Sequence, residues 1–214
     1  MPDPSKLPLS QQEFAFQAGV SRETADRLAA YLELLRRWQA RINLVSEASL
    51  KDAWRRHILD SAQLRPLIGR MDGRLYDIGS GAGFPGLVLA ILGMTDVHLI
   101  ESDQRKSAFL REAARITGAR VQLHTMRAEK LSPKDADFVT ARGCTALLEL
   151  LDLATPLLKP SGICFFLKGR GVEAELTAAN KAWSMQIQRF PSKSDPTGAI
   201  LRLEGIHRAG SGSS

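Results

Sequence analysis

The sequence predicts an α/β protein with a mostly parallel sheet, and three observations support this fold class. After Gly73, short apolar segments alternate with helical ones, as in strands joined by crossover helices. A glycine-rich loop, DIGSGAGFPG at residues 77–86, lies between one of these strands and a helix. Near the C-terminus, two apolar segments flank the turn-rich PSKSDPTG, which indicates an antiparallel hairpin.

The N-terminal part, residues 1–72, is predicted to be a helical extension packed on this core. Residues 1–10 hold three prolines and are expected to form a loose lead-in. Ser21 is a suitable N-cap, and from Ala25 apolar residues recur at helical spacing for about 20 residues. A second helix is predicted over residues 49–64.

The core is predicted to cover residues 73–208, followed by a disordered tail at 209–214. Its apolar runs predict strands at residues 74–78, 97–101, 121–124, 138–141, 163–167, 185–190 and 199–205. Helices are predicted at residues 85–92, 104–117 and 147–158. Pro85 suits the first position of its helix, because a missing N–H costs nothing there.

Composition narrows the class of protein. With 214 residues, 44% hydrophobic and 24% charged, the chain can bury a full core as one domain with an extension. No apolar run reaches the roughly 18–20 residues that a membrane span needs, and the N-terminus lacks a signal-peptide layout. Cys144 and Cys164 have no metal-binding spacing, so we expect reduced thiols, no metal site and a cytoplasmic protein.

The net charge of +6 is unevenly distributed. Between residues 36 and 56 the acidic side chains are Glu47 and Asp52, against the basic Arg36, Arg37, Arg41, Lys51, Arg55 and Arg56. Such a surplus attracts nucleic-acid phosphates. On charge alone, a solvated helix face explains it equally well.

The glycine loop allows two interpretations from its residues. GAGFPG matches the dinucleotide fingerprint G-x-G-x-x-G, and Glu101 lies 20 residues after Gly81, as that motif requires. The predicted strand, however, ends at Ile78, and read from there the loop is D-x-G-x-G-x-G, with Phe84 where the fingerprint needs its third glycine. The C-terminal hairpin also favours the second interpretation.

D-x-G-x-G-x-G resembles motif I of class I S-adenosylmethionine-dependent methyltransferases. That family has a Rossmann-like, mostly parallel seven-stranded sheet with one antiparallel strand. The resemblance implies that Gly79, Gly81 and Gly83 surround the cofactor S-adenosyl-L-methionine. It also implies that Glu101 holds the ribose hydroxyls, a role for which a carboxylate is suited because it accepts two hydrogen bonds.

Further segments resemble one family, the bacterial 16S ribosomal RNA guanine-N7 methyltransferases (RsmG, formerly glucose-inhibited division protein B). They are RHILDSAQL at 56–64, DIGSGAGFPGLVLAI at 77–91, RAEKL at 127–131, TARGCTAL at 140–147 and FLKG at 166–169. The resemblance covers residues 25–205. It departs at Gly143 and Cys144, where the family usually has Ala-Phe.

The resemblance implies cofactor contacts and an activity. The family's cofactor contacts fall on Gly79, Phe84, Ala128, Glu129 and Arg142. Phe84 would pack against the cofactor or simply fill the core. The implied reaction is methylation of guanine N7 in 16S ribosomal RNA or a small-subunit assembly; the alternative is a methyltransferase that acts on a small metabolite.

Two residues are candidates for the catalytic centre. Arg142 and Lys168 end neighbouring predicted strands, and Lys168 would grip an RNA phosphate or guanine O6. Guanine N7 carries no proton at neutral pH, so no general base is needed. We expect the RNA-binding residues to be Arg36, Arg37, Arg41, Arg55, Arg56 and His57, and the protein to act as a monomer.

Overall fold

A seven-stranded sheet forms the centre of the computed structural model, which describes residues 7–210. Its strands are β1 Arg74–Ile78, β2 Asp96–Ile100, β3 Val121–His124, β4 Ala136–Arg142, β5 Leu158–Lys168, β6 Trp183–Pro191 and β7 Ala199–Arg208. They lie in the order β3-β2-β1-β4-β5-β7-β6. Strand β7 is antiparallel to both of its neighbours, and the other pairs are parallel. The predicted parallel sheet with one antiparallel strand is confirmed.

Helices cover both faces of this sheet. They are α1 Gln11–Ala18, α2 Arg22–Gln39, α3 Glu47–Leu50, α4 Asp60–Ala62, α5 Leu64–Ile68, α6 Gly86–Ile91, α7 Gln104–Thr117, α8 Leu147–Ala154 and α9 Val172–Ala179. A π-helical turn, Trp54–Leu59, separates α3 from α4, and a 3₁₀ turn, Ala128–Lys130, follows β3. None of the helices in the described part of the chain is long and apolar enough to cross a membrane.

The N-terminal helices and one face of the sheet share a single hydrophobic core. Tyr31 and Leu35 of α2 are buried together with Phe84 and Phe109. Each such side chain contributes about 1.5–3 kcal/mol on burial. The Tyr31 hydroxyl also donates a hydrogen bond to the carbonyl oxygen of Ala82, which joins α2 to the glycine loop. The predicted boundary at residues 72 and 73 therefore falls between α5 and β1 but does not divide the core.

The N-terminal predictions were wrong in two places. Helix α1 was missed, although Ser10 and Glu13 form a capping box at its start. The helix predicted over residues 49–64 is interrupted by the π-helical turn, which brings His57 and Asp60 to the end of β4. The interruption accompanies contacts with Arg142, more than 80 residues away in the sequence.

Smaller differences concern element ends in the core. Pro85 is the N-cap of α6 rather than its first residue. Helix α8 ends at Ala154, and β5 begins at Leu158 with a register irregularity near Pro160, because proline cannot donate to the ladder. Helix α9 was not predicted. In the predicted tail, the amide of Ala209 donates to Ala182, and residues 211–214 lie outside the described residues.

Candidate active site

The glycine loop leaves the end of β1 with a left-handed backbone at three positions. The φ values are +63° at Gly79, +55° at Gly81 and +92° at Gly83, a region that favours glycine. A Cβ at Gly83 would lie 2.9 Å from the Cβ of Leu87, so this glycine lets the loop pack on α6. Gly79 and Gly81 are both partly exposed, and the space beside Gly81 is open, whereas Cys144 lies beside Gly79.

Asp77, the first residue of the motif, is fully buried. Its carboxylate accepts a hydrogen bond from the Thr140 hydroxyl at 2.8 Å and another from the Gly86 amide at 3.2 Å. Burial raises the pKa of Asp77 to about 6, against the lowering effect of these hydrogen bonds. Asp77 thus joins β1, β4 and the start of α6, and it supports the loop from below.

Glu101 follows β2 and reaches back to the glycine loop. Its two carboxylate oxygens accept hydrogen bonds from the amides of Gly81, at 2.9 Å, and Asp103, at 2.7 Å. A carboxylate has about four acceptor positions, so these two amides do not use all of them. The structure thus brings the predicted ribose-binding carboxylate to the predicted cofactor loop.

Phe84 is almost completely buried, and three side chains contact its ring. His57 stacks on it with ring centroids 4.8 Å apart, Tyr31 lies against it at 5.3 Å, and the guanidinium of Arg142 lies 4.6 Å from the ring centroid. Phe84 therefore serves as a platform for His57 and Arg142. Its contact with the cofactor stays a prediction.

His57 and Asp60, from the interrupted helix, hold Arg142 at the end of β4. The Arg142 guanidinium donates to the Asp60 carboxylate at 3.2 Å and to Nδ1 of His57 at 3.1 Å. Because a guanidinium only donates, Nδ1 must accept, and Nε2 of His57 carries the proton that it shares with Oγ of Ser49 at 2.9 Å. Burial, followed by the positive charge of Arg142, lowers the pKa of His57 to about 3.

Asp60 has a second set of partners in the turn between β6 and β7. One of its carboxylate oxygens accepts hydrogen bonds from the Ser194 hydroxyl and, at 2.9 Å, from Gln63. In the same turn, Asp195 forms an ion pair with Arg56 at 3.0 Å. Sequence reasoning assigned no role to this turn beyond closing the hairpin, since its partners are more than 130 residues away.

A cavity of about 420 Å³ lies between these segments at the carboxyl edge of the sheet. Its walls come from residues 44–49, the π-helical turn, the ends of β4 and β5 and the β6–β7 turn. Arg56, His57, Arg142 and Lys168 all line it. The predicted catalytic pair therefore lies beside one cavity.

Lys168 is next to Arg142 at this edge, as predicted, because β4 pairs Arg142 with Leu167. Its ammonium forms an ion pair with Glu175 at 2.7 Å and donates to the Thr145 carbonyl oxygen at 2.7 Å. These contacts hold it between α9 and the loop after β4. In this arrangement Lys168 shapes the cavity wall, and its grip on a phosphate or on guanine O6 stays a prediction.

Two further residues are predicted cofactor contacts, Ala128 and Glu129. Ala128 is buried and Glu129 exposed in the 3₁₀ turn after β3, the strand next to β2. Cys144 is one of the two residues that differ from the family pattern. It packs over the glycine loop, and a Cβ on Gly79 would lie 2.5 Å from its Sγ.

The structure divides the predicted RNA-binding residues among three places. Arg36, Arg37 and Arg41 are exposed at the end of α2, whereas Arg55 pairs with Asp52 at 2.8 Å and bonds the Leu7 carbonyl. Arg56 and His57 lie at the cavity, and His57 is only 5% exposed. His57 is thus a supporting residue in this structure, and its contact with RNA stays a prediction.

The family model and the sequence relatives agree on one family. The family model described as rRNA small subunit methyltransferase G (GidB) matches residues 24–197. The ribosomal RNA small subunit methyltransferase G of Rhodospirillum rubrum is 55% identical over 201 residues, covering 94% of this chain and 100% of the relative. That of Rhodospirillum centenum is 57% identical over 193 residues, 89% of each chain. The crystal structure of M. jannaschii TYW2 in complex with AdoMet shares the fold, with a TM-score of 0.55 and 16% identity over 79% of this chain and 80% of that one.

Proposed function

Because this chain belongs to the family of rRNA small subunit methyltransferases G, we propose that it transfers a methyl group from S-adenosylmethionine to N7 of one guanine in 16S ribosomal RNA. The observation that carries this proposal is the position of the cavity. It lies at the same sheet edge as the glycine loop and Glu101, with Arg142 between them. The proposed cofactor loop and the cavity thus share one boundary.

The residues of the loop fit S-adenosylmethionine. The loop is open at Gly81, since a Cβ there would have only an ordinary contact at 3.7 Å, and the Glu101 carboxylate is fixed beside it by two backbone amides. We propose that these residues hold the nucleoside part of the cofactor, with Ala128 and Glu129 beside its base. When bound, S-adenosylmethionine supplies an electrophilic methyl group on a positively charged sulfur.

The guanine is proposed to occupy the cavity, after it leaves its stack in the RNA. Its exposed N7 lone pair needs no base to remove a proton. The neutral His57 agrees with this, because its Nδ1 already accepts from Arg142 and its Nε2 already donates to Ser49. The protein contributes mainly by orientation, which is worth several kcal/mol (up to about 7–11) in well-aligned reactions.

Arg142 is proposed to fix the position of the base. The guanidinium donates to Asp60, to His57 and to the carbonyl oxygen of Arg56, and its remaining N–H donors are proposed to bind the guanine O6 or a phosphate. Because its partners lock its orientation, little side-chain entropy is lost when substrate binds. Lys168 defines the opposite part of the wall through Thr145 and Glu175.

The test is a methyl-transfer assay on small-subunit RNA and on assembled small subunits that lack the modification. We expect S-adenosylmethionine to label one guanine, identified as 7-methylguanosine after digestion and mapped by primer extension. The matched control is Gly81→Val, which places a branched side chain at φ +55° and should abolish labelling. Labelling of a small metabolite but not of RNA would favour the alternative substrate.

The setting of the reaction is part of the same proposal. We propose that the protein works in the cytoplasm, where ribosomal RNA is accessible to it, and that it acts as a monomer. Sedimentation with and without RNA tests the monomeric state.

A further inference from the structure

A second surface, separate from the cavity, combines unusual charge with a defined shape. A groove of about 880 Å³ runs between the C-terminal end of α2 with the turn that follows it and residues 108–115 of α7. We call it the arginine groove; it is defined by Arg37, Trp38, Arg41, Arg111, Glu112 and Arg115.

The positively charged side chains of the arginine groove repel one another. Arg111 and Arg115 are four residues apart on α7, so this helix has like charges on one face, and Arg41 lies in the turn after α2, which contributes Arg37. Such pairs destabilise a helix. Within the described residues, Glu112 is the carboxylate that lines the groove, and it is paired with Arg115 at 2.7 Å. Arg111 donates to the Thr125 hydroxyl at 3.1 Å. Four arginines thus line a groove that has one carboxylate among its described residues, which indicates a site for an anion.

The two rows of arginine face each other. At one end of the pair, Arg27 of α2 donates to the carbonyl oxygen of Thr117, the last residue of α7, at 2.6 Å. Further along α2, Trp38 packs edge-on against Phe109 of α7 with ring centroids 5.8 Å apart. The helices are therefore antiparallel, and the end of α2 lies beside the start of α7, which follows β2 at the carboxyl edge of the sheet.

A rigid connection joins this groove to the cavity. Gln39, the last residue of α2, accepts hydrogen bonds from the amides of Leu44 and Val45 at 2.9 and 3.0 Å and donates to the Val45 carbonyl at 2.8 Å. Leu44 and Val45 line the cavity. The last turn of α2 and the cavity wall are thus held together by one side chain, so an extended ligand would meet both at a fixed spacing.

The chemistry of the groove matches a phosphodiester chain. Arginine binds phosphate oxygens in a planar, two-pronged geometry, and the partly exposed indole of Trp38 offers a surface for a ribose or base. An acidic protein segment would meet the same charges. The connection to the cavity favours the RNA that carries the target guanine, because both parts of one chain then bind together.

We propose that the arginine groove binds the phosphodiester backbone of the RNA whose guanine enters the cavity, and that Arg111 and Arg115 of α7 are RNA-binding residues together with Arg37 and Arg41. This rests on the proposed function for the identity of the RNA. It adds a second contact surface and two residues beyond the basic stretch at positions 36–56.

The test compares R111Q/R115Q with R65Q/R120Q, in which two exposed arginines outside the groove are changed and the net charge is the same. RNA binding is measured by fluorescence anisotropy at 50–200 mM salt. Loss of two phosphate contacts lowers the slope of log affinity against log salt by about 1.4–1.8, so the affinity of the wild type falls roughly tenfold more over this range than that of R111Q/R115Q. Affinity for S-adenosylmethionine, measured by calorimetry, should stay unchanged.

A third variant should change the affinity for RNA in the opposite direction. Glu112→Gln removes the carboxylate of the groove and should tighten RNA binding, a result that a folding defect would not produce. A wild-type salt slope in R111Q/R115Q, or no gain in E112Q, would overturn the proposal. An effect seen with assembled subunits but not with free RNA would overturn it in favour of an acidic protein partner. If the wild type bound RNA with these slopes but transferred no methyl group, the proposed function would be wrong. The proposal that the arginine groove binds RNA would then remain supported.

Discussion

Acid should destabilise this protein in part through one buried histidine. His57 is neutral in the fold, because burial and the charges of Arg142 and Arg56 lower its pKa from 6.5 to about 3. The unfolded chain binds a proton on this residue below pH 6.5, whereas the folded chain does not. The contribution of His57 to stability is therefore complete above pH 6.5 and is lost as the pH falls toward 3.

The size of this effect on stability follows from the shift in the pKa of His57. Each pH unit between the two pKa values is worth about 1.4 kcal/mol, so lowering the pH from 7.5 to 5 should cost roughly 2 kcal/mol through His57. Asp77 acts in the opposite direction, because burial raises its pKa to about 6 and its protonation favours the fold. A comparison of variants separates the two contributions.

The assay is urea unfolding of the wild type and of His57→Gln at pH 7.5 and pH 5. The variant should lose roughly 2 kcal/mol less than the wild type between these pH values, whatever its stability at pH 7.5, since all other titrating groups are shared. His207→Gln, which changes an exposed histidine on β7, is the control and should follow the wild type. Equal pH dependence in His57→Gln and the wild type would refute the assignment of a buried neutral His57.

Three further predictions concern the glycine loop. Tyr31→Phe leaves the carbonyl oxygen of Ala82 without its donor in the core and should lower the free energy of unfolding by about 1–3 kcal/mol, measured with urea. Glu101→Gln replaces one of two acceptors of backbone amides with a donor and should weaken S-adenosylmethionine binding about tenfold or more in calorimetry, with little change in RNA affinity. Gly79→Ala should abolish cofactor binding through its clash with Cys144; adding Cys144→Ala should restore part of it, and no restoration would mean that the strained φ alone decides.

Much of the sheet and of the cofactor loop could be predicted because their determinants are local. Alternating apolar runs define parallel strands, and the glycines after β1 need their residue type for backbone reasons that the sequence displays directly. The position of Glu101 also follows from topology, since parallel neighbouring strands end at one edge of the sheet. Its hydrogen bond to Gly81 is a consequence of that arrangement.

The cavity could not be predicted in the same way, because its polar contacts join distant segments. The hydroxyl of Ser194 meets Asp60 from 134 positions away, and Arg142 meets His57 from 85 positions away. No local pattern encodes such pairs. The π-helical turn at Trp54–Leu59 belongs to this class too, because RHILDS has ordinary helical composition and its irregular backbone accompanies the contacts with Arg142.

These contacts explain why a helical extension is joined to a sheet that already holds the cofactor loop. Arg142 ends β4, but its orientation comes from His57 and Asp60 of the extension, and Asp60 is in turn fixed by Ser194 of the β6–β7 turn. A guanidinium without these partners would sample many rotamers over the ring of Phe84. Under the proposed function, positioning the base would therefore require three chain segments, whereas binding the methyl donor would require the loop and strand ends of the sheet. Substitutions in the extension should accordingly impair methyl transfer more than cofactor binding.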